Sequence, residues 1–259
     1  MILLIQSCQQ QASRIQQRLR AAGLSAVIFE GEVSVQSIMQ YDCPVVILDM
    51  QLAHQQALAL CHSLRQTAPA LGIVMTCCKE QNDNRILALE LGADDVISLP
   101  AQAGELQARI RVQLRRTGNK QKGAMANEAL IKAGALCMNL RSHEAWLGHQ
   151  RLALTATEFA LLAYFARHPL QVLSRQALLQ AVWDYHYAGY EHTVVSHINR
   201  LRAKLAADAS VAAMLETVRG VGYRWNPNVF NTASPTHQAV VTPETVSRCP
   251  ERQISQLHL

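Results

Sequence analysis

Three short runs constrain this chain more than anything else in it. Ile2-Leu3-Leu4-Ile5, Val45-Val46-Ile47-Leu48 and Gly72-Ile73-Val74-Met75 are almost continuously apolar, and stretches with helical periodicity separate them. A strand that is apolar on both faces has to be covered on both, which points to a parallel sheet with helices above and below it. The strands expected are Ile2–Ile5, Ala26–Phe29, Val45–Asp49, Ile73–Thr76 and Asp95–Ser98, with helices near 10–22, 33–40, 56–67, 83–91 and 103–116. That order predicts an α/β fold, a five-stranded doubly wound parallel sheet, with its functional crevice beyond the carboxyl ends of the strands.

The pattern changes after residue 116. A polar, Gly-punctuated stretch at 117–127 reads as a linker between a first domain at 1–116 and a second at 128–226. Short strand candidates at 129–132, 135–140, 144–147 and 150–154 precede three helices, expected at 157–168, 174–183 and 193–207. Thr155 with Glu158 three residues on has the form of a capping box for the first of these. Thr217 to Trp225 then reads as a hairpin with glycines at its turn. From 227 to 259 periodicity fades and Pro227, Pro235, Pro243 and Pro250 appear, as in a disordered tail.

Charge follows the same division. Residues 1–119 carry ten Lys or Arg and ten Asp or Glu, whereas 120–228 carries twelve against seven. The excess of +5 therefore sits in the second domain, as a polyanionic partner such as double-stranded DNA requires. Seven cysteines, without a CxxC pair or a His-rich partner spacing, predict reduced thiols, a cytoplasmic protein and no metal site. No signal peptide or membrane span is read at the start, and no nucleophile-base pair, phosphate loop or cofactor motif points to an enzyme.

The third helix of the second domain carries the functional argument. Val194, Ile198, Leu201 and Leu205 form one apolar stripe, while Thr193, Ser196, His197, Asn199, Arg200 and Lys204 lie on the other side, with Arg202 at the margin. A helix packed by one face and displaying such groups on the other can enter the major groove. Arg219 at the hairpin tip can reach the minor groove beside it.

At this point LTATEFALLAYFARHPLQVLSRQALLQAVW, HTVVSHINRLRAKL and TVRGVGYRW, in that order, resemble the effector domain of OmpR/PhoB-type response regulators. The resemblance implies a winged helix-turn-helix with 192–207 as recognition helix and 215–225 as wing. It implies base-facing Ser196, Asn199 and Arg200, backbone contacts from Thr193, His197, Arg202, Lys204 and Thr217, and Arg219 in the minor groove. The loop 184–191 becomes the segment that in the family can touch RNA polymerase. His192, Val195 and Asn199 depart from the family's usual Arg, Asp and Arg, so the operator cannot be copied from a relative.

The N-terminal half resembles the family's receiver domain through VVILDMQL, RILALELGADDVISLP and ELQARIRVQLRR. Asp49 falls on the phosphoacceptor position, but the acidic pair is replaced by Gln6 and Ser7, the hydroxyl by Cys77, the Lys by Leu99 and the switch aromatic by Val96. The expectation is a regulator that works without Mg²⁺-dependent phosphorylation of Asp49. A conventional phosphorylation-activated regulator and a protein-interaction module are alternatives, and the sequence leaves a partner histidine kinase open. A redox-responsive regulator using Cys8 and Cys77 is a further alternative. The family's dimer face matches Arg85, Leu87, Leu91, Asp94, Asp95, Glu105, Ala108, Arg109 and Arg111, which implies a homodimer.

Overall fold

The computed structural model describes residues 1–52, 56–78, 82–101, 104–118, 130–184, 190–206 and 213–228. β1 (Ile2–Ile5), β2 (Ala26–Ile28), β3 (Val45–Asp49), β4 (Gly72–Cys78) and β5 (Asp95–Leu99) form one parallel sheet in the order β2-β1-β3-β4-β5. Successive side chains on these strands go to opposite faces, so each apolar run supplies two cores at once. Ile2, Leu4, Val45, Ile47 and Val74 pack with α1 (Gln9–Ala21) and α5 (Glu105–Gly118). Leu3, Ile5, Val46, Leu48, Ile73 and Met75 pack with α2 (Val35–Met39), α3 (Gln56–Thr67) and α4 (Asn82–Leu91).

Two boundaries differ from expectation for local reasons. The second helix begins at Val35, not near 33, because Ser34 caps it and exchanges hydrogen bonds with Ser37. β4 runs on through both cysteines, with Cys77 opposite Ser98 and Cys78 opposite Leu99.

The second unit opens with an antiparallel four-stranded sheet, β6 (Leu130–Ala133), β7 (Leu136–Asn139), β8 (Glu144–Leu147) and β9 (Gln150–Leu152). α6 (Ala156–Arg167), α7 (Arg175–Trp183) and α8 (Glu191–Leu205) follow. Thr155 caps α6 as its sequence predicts: its hydroxyl accepts from the Glu158 N–H, and the Glu158 carboxylate accepts from the Thr155 N–H. The apolar stripe of α8, Val194, Ile198, Leu201 and Leu205, closes the core with Leu161, Phe165 and Trp225.

One strand is not foreseen by the sequence pattern. β10 (Val172–Ser174) lies beside β12 (Gly222–Trp225), which also pairs with β11 (Leu215–Val218), so the hairpin belongs to a three-stranded sheet. At three residues its run is too short to show alternation. Its contact with the hairpin is close: a Cβ on Gly222 would stand 2.0 Å from the Leu173 carbonyl oxygen. The linker residues 119–127 and the tail 229–259 lie outside the described residues.

Candidate nucleic-acid interface and receiver pocket

Asp49 closes β3 at the carboxyl edge of the sheet and is 1% exposed. Its Oδ2 accepts from the Ser7 N–H at 3.1 Å and the Ser7 hydroxyl at 2.5 Å, and its Oδ1 accepts from the Gln51 N–H at 3.0 Å. Two backbone amides and a hydroxyl thus occupy the oxygens that a metal and an incoming phosphoryl group would need. Gln6 turns its amide to the Ile5 carbonyl and the Thr76 hydroxyl. A Mg²⁺ site calls for several oxygen ligands including carboxylates, and the groups on Asp49 here are donors, so the residues present do not fit that ion.

The rest of the pocket is equally apolar or capped. Val96 is buried in the sheet, and Leu99 packs toward α1 and α5. Cys77 is buried with its Sγ 3.7 Å from the Ser98 hydroxyl, and burial pushes its thiol above the ordinary range. That opposes the thiolate a redox role at Cys77 would use, whereas Cys8 is exposed.

The helix expected to display its polar face does not display it. Thr193, Ser196 and His197 are buried, and the Arg200 side chain is only 15% exposed. This corrects the sequence expectation, and the cause is plain: α8 packs on α4, so the receiver covers the face that would meet DNA. Asn199, Thr217 and Arg219 are exposed, and Lys204 and Arg202 are half-buried. Arg202 donates to the Leu215 carbonyl and the Thr217 hydroxyl, holding α8 against the hairpin.

The covered face is rich in charge. Arg200 lies 3.7 Å from the Glu158 carboxylate, which also receives Lys204 at 2.7 Å. Across the boundary, Arg65 of α3 pairs with Asp94 at 2.6 Å and donates to the carbonyls of Pro69, Leu71 and Gly92. Burial raises the Asp94 carboxyl, but Arg65 and the Ile73 N–H outweigh it and hold the group below its usual range. His197 donates or accepts at Nδ1 with the Thr193 carbonyl, and its ring meets Trp183 edge-on at 4.9 Å. Burial first, and then Arg200, Arg116 and Arg65, push its pKa well below the ordinary histidine value.

Aromatic residues complete the closure, and the sequence pattern singles out none of them. Trp183 Nε1 donates to the Asp94 carbonyl at 3.2 Å. Tyr190 stands between two receiver guanidiniums, with Arg109 at 4.2 Å and Arg85 at 4.6 Å from its ring, and its hydroxyl is 3.4 Å from Glu105. Arg116 donates to the Thr157 hydroxyl from α5. Trp183 and Tyr190 flank the loop expected to touch RNA polymerase, of which 185–189 lie outside the described residues.

The residues matched to a dimer face serve this chain internally. Asp95 and Glu105 both pair with Arg109, at 3.0 and 2.6 Å, and Asp94 pairs with Arg65. Arg85 donates to Ser98, and Arg111 to the Ala22 carbonyl. Leu87, 43% exposed, and Ala108 remain on the surface, with Leu91 half-buried. Asp94, Asp95 and Arg109 are buried, which corrects their expected availability for cross-subunit pairs.

Comparison with known proteins agrees with both halves. The family described as "Response regulator receiver domain" matches residues 2–111, and "Transcriptional regulatory protein, C terminal" matches 149–225. The chain is 31% identical over 224 residues to the sensory transduction protein RegX3 of Mycolicibacterium smegmatis, covering 86% of this chain and 97% of that one. It is 31% identical over 228 residues to the alkaline phosphatase synthesis transcriptional regulatory protein PhoP of Bacillus subtilis, covering 86% and 95%. A solved structure of a cysteine-to-serine mutant of RitR superposes with a TM-score of 0.65 at 27% identity, covering 87% of this chain and 98% of that one. A parallel receiver sheet, a winged helix-turn-helix and this full-length similarity place the chain among the OmpR/PhoB-type response regulators, DNA-binding transcription regulators that are not enzymes.

Proposed function

We propose that this protein is a sequence-specific transcription regulator that acts without Mg²⁺-dependent phosphorylation of Asp49, its receiver instead governing access to the recognition helix. The observation that carries the reading is the closed arrangement of α8 on α4, in which Thr193, Ser196, His197 and Arg200 are covered. The bonds from Ser7 to Asp49 support the second half, because they fill the carboxylate's oxygens. Opening frees Ser196, Asn199 and Arg200 for base edges, Thr193, His197, Arg202, Lys204 and Thr217 for the backbone, and Arg219 for the minor groove.

Opening also uncovers Arg85, Glu105 and Arg109, so a homodimer through that face belongs to the open form. The same reading keeps 1–116 and 128–226 as separable domains joined at 117–127, and assigns any contact with RNA polymerase to 184–191. Intact-mass analysis after incubation with acetyl phosphate and Mg²⁺, beside selection of bound DNA from a random library by untreated protein, tests it. An unshifted mass with a recovered operator is the expected result. An added phosphate that Asp49→Ala abolishes, together with operator binding only after treatment, would establish the conventional alternative.

A further inference from the structure

Between α5 and the winged-helix unit lies a cavity of about 440 Å³ that the closure of α8 does not use. Its rim carries four guanidinium groups, Arg115 and Arg116 from α5, Arg141 from the β7–β8 turn and Arg167 from the end of α6. Its floor is apolar, with Val112, Leu140, Phe159 and Val182, and Tyr164 stands in its wall. No Asp or Glu is among the described residues that line it.

Three details argue for a ligand over a solvated basic rim. Arg167 has no ion-pair partner among the described residues, and Arg115 has only Asp184 at 3.8 Å with both side chains about two-thirds exposed. Such an exposed pair at that distance contributes little. His143 adopts a left-handed backbone with φ of 54°, which turns its ring onto Phe159 at 4.5 Å and leaves a flat ring edge on the cavity. Finally, cationic forks around an apolar, aromatic floor match a molecule that is planar at one end and multiply anionic at the other. Duplex DNA is too wide to enter a cavity between two packed units.

We propose that this cleft binds a nucleotide bearing two or more phosphates, its base against Tyr164 and Phe159 and its phosphates among Arg115, Arg141 and Arg167. Because both units contribute walls, the bound nucleotide holds them together. This regulatory consequence rests on the closed reading given above, while the site itself does not.

The test uses the full-length protein and a fluorescent N-methylanthraniloyl-ADP probe, with ATP, GTP, adenosine and inorganic pyrophosphate as competitors. ATP or GTP should displace the probe, with adenosine and pyrophosphate each at least about tenfold weaker because each supplies one end of the ligand. Arg141→Ala with Arg167→Ala, two exposed positions, should weaken the probe by about tenfold or more at an unchanged melting temperature. No saturable binding at millimolar nucleotide, pyrophosphate as effective as nucleotide, or an unaltered double variant would each overturn the site. A DNA-binding arm separates the two ideas. Nucleotide at about 100 times its Kd should lower operator affinity by up to about 100-fold if only the closed form holds it. Arginine-dependent nucleotide binding with unchanged operator affinity would leave the site standing and sink the closed-form regulation.

Discussion

The indole Nε1–H of Trp183 donates to the main-chain carbonyl of Asp94 across 3.2 Å, joining the last turn of α7 to the residue that precedes β5. Both residues are about 1% exposed. A buried donor left without an acceptor costs roughly 1–3 kcal/mol, so the two units separate only where water or another acceptor replaces that carbonyl. A DNA phosphate is such an acceptor, and the exchange makes closure and DNA binding competitors for one group.

Tyr190→Ala removes the ring held between Arg85 and Arg109 without touching a residue assigned to DNA. Each cation–π contact is worth about 0.5–2 kcal/mol, so the closed form should lose about 1–3 kcal/mol. Operator affinity should rise by roughly tenfold or more, and the radius of gyration from X-ray scattering should increase. Unchanged values for both would show that Tyr190 does not hold the units together.

Acid should open the molecule through His197. Its pKa is depressed in the closed form, by burial and by Arg200, Arg116 and Arg65, and returns toward the ordinary value when exposed. Below about pH 6.5 the open form binds the extra proton, so closure is fully present above that pH and weakens as pH falls, by up to about tenfold per unit. Scattering profiles from about pH 7.5 to about pH 5.5 should show expansion in the native protein and none attributable to this site in His197→Gln. Asp94 is held low by Arg65 and stays ionised across that window.

Arg219→Ala at the exposed wing tip should cost about 1–3 kcal/mol in operator binding while leaving scattering and melting temperature unchanged. Mobility-shift titration at fixed salt measures the loss, and equal losses on random DNA would demote Arg219 to a phosphate contact.

Restoring the missing groups should restore the chemistry. Gln6→Asp, Ser7→Asp and Leu99→Lys together replace the donors on Asp49 by carboxylates and supply a cation. Without Mg²⁺ the clustered carboxylates repel and should lower the melting temperature, and Mg²⁺ should recover it. Acetyl phosphate should then add one phosphate to the variant, as read by mass.

Gly222→Ala should break the pairing of β10 with β12, since the new methyl group meets the Leu173 carbonyl. A loss of about 1–3 kcal/mol, seen as a lowered urea midpoint, is expected from forced strand separation.

The receiver sheet was legible because Ile2, Leu4 and Ile47 have no polar neighbours to alternate with, and only a doubly covered strand tolerates that. The α8 stripe was legible because Val194, Ile198, Leu201 and Leu205 repeat at helical spacing. What that spacing could not disclose was which surface lies opposite the polar face. Arg200 in water, on a phosphate or beside Glu158 gives the same periodicity, so closure is visible only when α4 and α8 are seen together. Trp183 and Tyr190 were passed over for a related reason, since each aromatic read equally well as core. Gly222 looked like a turn glycine, although its conformation is imposed by the strand beside it.

The placement of Tyr190 between Arg85 and Arg109 has a kinetic and cellular corollary. A covering group tethered to the same chain acts at an effective concentration of the order of millimolar, independent of how many copies a cell contains. A second copy contending for those arginines acts at its actual concentration, and its success rises with abundance. Such a regulator would respond to its own expression level more steeply than in proportion, so synthesis and degradation of the chain would serve as inputs where phosphate transfer does not.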